Sequence, residues 1–164
     1  IADLALPGMP HLGSGITWLW QGRTVMASTN LKESAVTVID LSNWQTVKTI
    51  PTRGPGFFLR SHENSRYAFV DSMMSREARD TLQVIDKDTL IVVKELRPVP
   101  GKTLAHVEFT RDGRYALASL LENDGALIVY DARTLEEVKR IPMNKPVGKY
   151  NVWNKISRSE GTSH

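Results

Sequence analysis

Three residues able to exchange protons or hold a metal recur at one kind of place in this chain. His106 stands eight residues after Pro98, Tyr150 stands eight after Pro142, and His11 follows Pro7 by four within LPGMPHLGSG. Imidazole titrates near neutral pH, so a histidine can act as general base or metal ligand, and a tyrosine can relay a proton. A lone His at a strand start is commonly a hydrogen-bonded structural residue, and a lone Tyr commonly packs in a core. Three such groups at equivalent entrances point instead to one shared mouth. Lys32 in STNLKES and Arg76 and Arg79 in DSMMSREARD could reach an anionic ligand there, arginine by paired donors matched to a carboxylate. A solvated loop accounts equally well for any one of them. Met73 and Met74 could pad a flat apolar ligand or simply pack their own loop. His62, in SHENSR, is expected on the surface of the opposite face, and His164 is terminal. No Gly-rich phosphate loop, Ser nucleophile elbow or paired metal-binding carboxylates stand out.

The elements that would position these residues form a repeat. DLSNWQTVKTI, DKDTLIVVKEL and DARTLEEVKRI start at Asp40, Asp86 and Asp131, 46 and then 45 residues apart. Each follows an alternating, β-branched run that ends on the Asp: AVTVID, TLQVID, ALIVYD. Further upstream lie TVMAS, YAFVD and YALAS, each after a polar turn (WQGR, ENSR, RDGR), and before the turns come GITWLW, GFFLR and AHVEFT. Four short antiparallel strands in about 45 residues is the pattern of a β-propeller blade. The expected class is therefore all-β, a partial propeller with blades at 16–50, 57–96 and 105–141. PVGKYNVWN (146–154) reads as a closing innermost strand, IADLALP as a lone outermost strand, and 155–164 as a tail, with the propeller unit covering 1–154. Three blades fall short of the roughly four to eight that close a ring. Starting at Ile1 without Met, the chain reads as a piece of something longer.

Composition narrows the classes further. Hydrophobic residues make up 41% and charged residues 24% of the 164, which argues for a folded domain. A net charge of +3 favours an anionic ligand, but no basic block with interleaved aromatics suggests nucleic acid. No apolar run is long enough for a transmembrane helix. With no cysteine, this stretch has no disulfide, zinc–thiolate site or covalent c-type haem attachment. An incomplete ring leaves strand edges and blade faces exposed, so self-association of the chain alone is expected.

The PHLGSG loop, the GKTLAHVEFTRDGRYAL run and the closing GKYNVWN resemble the haem d1-binding propeller of the cytochrome cd1 nitrite reductase family, over essentially all 164 residues. The resemblance implies an eight-bladed ring of which this is the C-terminal part, a periplasmic location, and an upstream cytochrome c domain carrying haem c. It implies haem d1 or dihydro-haem d1 as ligand, with His11 and His106 as the distal histidines and His11 a possible ligand of the haem iron. The proximal iron ligand would come from blades outside this stretch. Tyr150 and the tail KISRSEGTSH look more like the family's biosynthetic dihydro-haem d1 dehydrogenase branch. That likeness implies oxidation of a propionate to the acrylate of haem d1, with His106 as base and Tyr150 orienting or relaying a proton. Two other readings stay open at this point: a nitrite reductase using the same face, and a propeller scaffold that binds protein partners.

Overall fold

A computed structural model describes residues 4–147. It contains twelve strands: β1 (Pro10–Trp20), β2 (Arg23–Asn30), β3 (Ala35–Asp40), β4 (Gln45–Pro51), β5 (Leu59–Arg60), β6 (Tyr67–Asp71), β7 (Leu82–Asp86), β8 (Ile91–Leu96), β9 (Leu104–Phe109), β10 (Tyr115–Leu120), β11 (Ala126–Asp131) and β12 (Glu137–Pro142). They form three four-stranded antiparallel meanders, β1 to β4, β5 to β8 and β9 to β12. No helix occurs among the described residues, so none is long and apolar enough to cross a membrane. The innermost strand β5 packs between β1 and β9, which sets the three sheets face to face about one side.

Alternation along the middle blade builds both inter-blade cores. Phe69, Leu82 and Val84 join Val107, Phe109 and Ile128 of the third blade, whereas Ala68, Val70 and Ile85 join Ile16, Val25 and Val38 of the first. A fully buried Leu, Ile or Phe in such a junction contributes about 1.5–3 kcal/mol. Side-chain donors stitch the far ends together. Trp18 Nε1 and Trp20 Nε1 donate to the carbonyls of Lys87 and Asp88, and Asn64 Nδ2 donates to that of Asp112.

The repeated Asp has a local cause. Asp40, Asp86 and Asp131 accept the N–H of Ser42, Asp88 and Arg133 on Oδ1 at 2.8–2.9 Å. Their carbonyls accept the N–H of Trp44, Leu90 and Leu135 at 2.8–2.9 Å. Those three residues sit at φ 59°, 55° and 62°, left-handed positions costing about 1–2 kcal/mol each. The tight turn feeds a bulge beside it, between Val38 and Ile39, Val84 and Ile85, and Val129 and Tyr130. The invariant large apolar residue of the repeat is thus the left-handed residue. The turn before each second strand adds Arg23 to Asp40 at 2.9 Å and Arg66 to Asp86 at 2.6 Å. In the third blade Arg114 instead lies over the Tyr115 ring, 5.1 Å from its centroid.

Three expectations change. β1 begins at Pro10, not Ile16, because Pro10 and His11 pair with Asn30 and Thr29 across a large bulge that ends at Ile16. The stretch 4–7 of IADLALP forms no strand, and the Pro7 carbonyl is taken by the Asn30 side-chain Nδ2–H at 2.6 Å. His62 is on the opposite end as expected but is fully buried, not a surface residue. Its Nε2–H donates to the Arg111 carbonyl at 3.1 Å, and its Nδ1 accepts the Asn64 N–H at 3.0 Å. The next blade roofs it, where Gly113 lacks the Cβ that would strike its ring. Most of the closing strand 146–154 lies outside the described residues, as does the tail.

Candidate functional site

Both candidate histidines sit at bulges in innermost strands. In β9, Ala105 faces Ser119 and Glu108 faces Leu117, so His106 and Val107 together oppose one residue of β10. His106 sits there at a positive φ of 52°. Bulges of this kind re-aim a side chain, and a non-glycine residue held there carries strain that its surroundings must offset. His11 stands at the other bulge, where Gly15 lets the chain fold back closely: a Cβ on Gly15 would lie 3.0 Å from the Leu12 carbonyl oxygen.

The middle blade joins the two. His11 lies 4.2 Å from Phe57 between ring centroids, Phe57 lies 4.7 Å from Phe58, and Phe58 stacks on His106 at 4.5 Å with planes 28° apart. An unbroken row of four flat rings therefore crosses three blade entrances. Beneath it, the guanidinium of the fully buried Arg60 lies 5.8 Å from the Phe58 centroid.

Backbone groups hold this row. The Phe57 carbonyl accepts His11 Nδ1–H at 2.7 Å and Ser14 Oγ–H at 2.6 Å. A carbonyl can only accept, so this contact places the neutral ring's proton on Nδ1 and leaves a lone pair on Nε2. His11 is thus preset to accept a proton or bind a metal through Nε2. On the other side of the same residue, the Phe57 N–H donates to Asp71 Oδ1 at 2.8 Å, and the Phe58 N–H donates to Oδ2 at 3.1 Å. Asp71 also takes the N–H of Met73 at 3.3 Å and that of His106. Complete burial pushes its carboxyl up to about 6, against the opposing pull of these N–H groups, the Phe57 donor foremost.

The other residues singled out by sequence fare differently. Lys32, Arg76 and Arg79 are exposed on loops at the same end, and Arg79 Nη2 donates to the Gly101 carbonyl at 3.3 Å. No hydrogen bond or ion pair joins them to His11 or His106 among the described residues, so they rim the site without being built into it. Met73 is half-buried, Met74 exposed, and Tyr150 lies outside the described residues. The described residues contain no group of three His, Asp or Glu side chains placed to hold a metal. Sequence reasoning missed Phe57, Phe58, Arg60, Ser14 and Asp71. One signal was present: counting eight residues from Pro51, as from Pro98, arrives at Leu59, next to the Phe57–Phe58 pair.

Sequential four-stranded antiparallel meanders, packed side by side along their innermost strands, define a β-propeller segment. The family model described as Cytochrome D1 heme domain matches residues 1–155, and the chain belongs to that family. It is 58% identical over all 164 residues to dihydro-heme d1 dehydrogenase of Pseudomonas aeruginosa, covering 33% of that protein. It is 29% identical to Protein NirF of Stutzerimonas stutzeri over 85% of this chain and 34% of that one. A solved structure of dihydro-heme d1 dehydrogenase NirN in complex with DHE superposes with a TM-score of 0.91 at 58% identity, over 95% of this chain and 33% of that one. Hydrazine synthase of Kuenenia stuttgartiensis, at 18% identity and a TM-score of 0.63 over 73% of this chain and 34% of that one, shares the fold. The chain spans about one third of the length of the curated relatives it matches.

Proposed function

We propose that this chain is the C-terminal part of the haem d1-type propeller of a periplasmic dihydro-haem d1 dehydrogenase. The observation that carries the reading is the row His11–Phe57–Phe58–His106 at the blade entrances of a chain 58% identical to such an enzyme. Four flat rings in a row suit the face or edge of a conjugated macrocycle, which needs dispersion contact and few polar partners. Exposed Lys32, Arg76 and Arg79 stand where they could meet its carboxylates.

When bound, the tetrapyrrole supplies the redox chemistry: a propionate loses two C–H bonds and gains one C=C bond as two electrons and two protons depart. A cytochrome c domain elsewhere in the parent protein would take up the electrons. His106 is the group to accept a proton, its bulged backbone fixing the ring against Phe58. His11, with Nδ1–H committed to the Phe57 carbonyl, offers Nε2 to the ligand, as iron ligand or proton acceptor. Tyr150 orients or relays a proton.

The test is single-turnover oxidation of dihydro-haem d1 by the full-length protein, followed by the absorbance of the bound tetrapyrrole. His106→Ala should retain binding and lose about 10²- to 10⁴-fold in rate, with a smaller loss for Tyr150→Phe. Exposed Lys139 of β12 supplies the control position, since His62 is buried and structural. Near-normal conversion by His106→Ala would overturn the role of His106. Rapid nitrite turnover by the wild type would move the assignment to a reductase, and failure to bind the tetrapyrrole would leave a scaffold.

A further inference from the structure

The two histidines are connected through backbone, and the connection has one centre. From His11 the path runs through Nδ1–H to the Phe57 carbonyl, then from the Phe57 N–H to Asp71. Asp71 in turn takes the Phe58 and His106 N–H groups. The carboxylate is completely buried and is itself the last residue of β6, its own N–H bonded to the Phe58 carbonyl at 3.2 Å. Each of the donors to Asp71 in this path is a main-chain N–H of a residue in the ring row. The arrangement also has a steric precondition. A Cβ on Gly56 would lie 2.5 Å from the Asp71 carbonyl oxygen and 3.0 Å from Val70 Cγ2, so only glycine lets the RGPGFF connection press onto β6.

We propose that Asp71 is a positioning residue of the tetrapyrrole site: one carboxylate, by gathering the N–H groups of Phe57, Phe58, Met73 and His106, sets the His11 and His106 rings relative to each other. The inference rests on the function proposed above. Its physical basis is that a carboxylate offers about four acceptor directions and accepts only, so it can satisfy four convergent donors. An asparagine in its place has one acceptor oxygen and an NH2 group that would face N–H donors. The left-handed conformation of His106 loses one of its restraints when this acceptor is removed. Displacing a catalytic group by about 1 Å can cost on the order of 10²-fold in rate.

The experiment compares full-length wild type with Asp71→Asn, Gly56→Ala and a matched control, Asp86→Asn. Asp86 is also buried and accepts backbone N–H groups, but it lies at the opposite end of its blade. Hydrogen exchange is followed on peptides covering 57–58 and 104–109, and conversion of dihydro-haem d1 is followed in single turnover. Asp71→Asn should accelerate exchange in both peptides and slow conversion by about 10- to 100-fold with the tetrapyrrole still bound. Asp86→Asn should lower thermal stability while leaving both readouts at wild-type values. If Asp71→Asn does not fold, Gly56→Ala keeps the carboxylate but shifts its Phe57 donor, and it should give the same pair of changes. A folded Asp71→Asn or Gly56→Ala protein with wild-type exchange and rate would overturn the proposal, as would a rate loss equal to that of Asp86→Asn. A wild type that does not oxidise dihydro-haem d1 would sink the proposed function, while accelerated exchange confined to the two peptides would still support the anchoring.

Discussion

Gly22 and Gly113 occupy the same turn, between first and second strands, in the first and third blades, and they form a matched pair for testing how the blades lock. Both have positive φ, 78° and 72°. They differ in what a side chain would meet: nothing lies within 4 Å of a Cβ on Gly22, whereas one on Gly113 would lie against His62 Nδ1, with Cγ at 2.8 Å and Cε1 at 3.0 Å. Gly22→Ala should therefore cost only the left-handed strain, about 1 kcal/mol. Gly113→Ala carries the same strain and must also move a fully buried ring held by two hydrogen bonds. Losing those bonds costs about 0.5–1.5 kcal/mol each, and overpacking a filled slot about 1–3 kcal/mol. Some of these losses overlap, so the excess of Gly113→Ala over Gly22→Ala should be about 2–4 kcal/mol. Thermal and urea unfolding of the full-length protein would read it as a midpoint loss several times larger for Gly113→Ala. A double variant with His62→Ala should lose less than the two single losses added together, because the clash is then absent. Equal losses for the two glycines would refute the account of His62 as the keystone between the second and third blades.

Trp44→Gly should be neutral or stabilising by about 0.5–1 kcal/mol, since it relieves a φ of 59° at a residue 45% exposed, whereas Leu90→Gly, at φ 55° but buried, should cost about 2–3 kcal/mol; urea midpoints decide. Asp80 is held at about 2, chiefly by the Arg97 hydrogen bond, so its folded pKa lies below its unfolded value of 3.8. Its stabilisation is present above that value and lost as pH falls through about 2, and Arg97→Ala should flatten this acid limb in melting temperature against pH. Asp71 has the opposite sign. Its folded pKa of about 6 lies above 3.8, so its contribution is present below about pH 4 and falls by about 3 kcal/mol by pH 6, a slope that Asp71→Asn should remove. The chain on its own should sediment as more than a monomer, because Val138 at 53%, Ile141 at 36% and Leu19 at 62% exposure leave apolar strand faces in water; a monomer at high concentration would contradict this.

The twelve strands were legible because their causes are local. Period-two runs such as TLQVID and polar turns such as RDGR carry their own geometry, and the Asp of each repeat bonds residues two to four positions ahead. The location of His11 and His106 at blade entrances was legible through the same repeat. The rest depends on partners far along the chain. HENS carries turn chemistry and reads as solvent-exposed, yet His62 is buried because Gly113, in another blade, leaves room for it. Asp71 reads as one more strand end, and its donors lie at 57, 58, 73 and 106. The His106 bulge had no glycine to announce it, since the left-handed residue is the histidine itself.

The two ends of the blades obey different rules. At the far end the same device recurs three times: an Asp turn, a left-handed apolar residue and, in two blades, an arginine closing on the carboxylate. Repetition there is what a stacked architecture requires, since each blade must present the same edge to the next. At the opposite end the blades differ from one another, although two of them share a bulge in the innermost strand. The first blade supplies a glycine-rich bulge and His11, the third supplies His106 at a bulge without glycine, and the middle blade supplies two phenylalanines and a buried carboxylate but no histidine. The middle blade therefore contributes geometry to side chains that belong to its neighbours. Each histidine is fixed by residues outside its own blade: His11 by the Phe57 carbonyl, His106 by Asp71 and the Phe58 ring. An arrangement shared in this way forms only when adjacent blades dock in register, so packing between blades and placement of the two histidines are one event, and a substitution that loosens the 57–71 contact reaches both histidines at once.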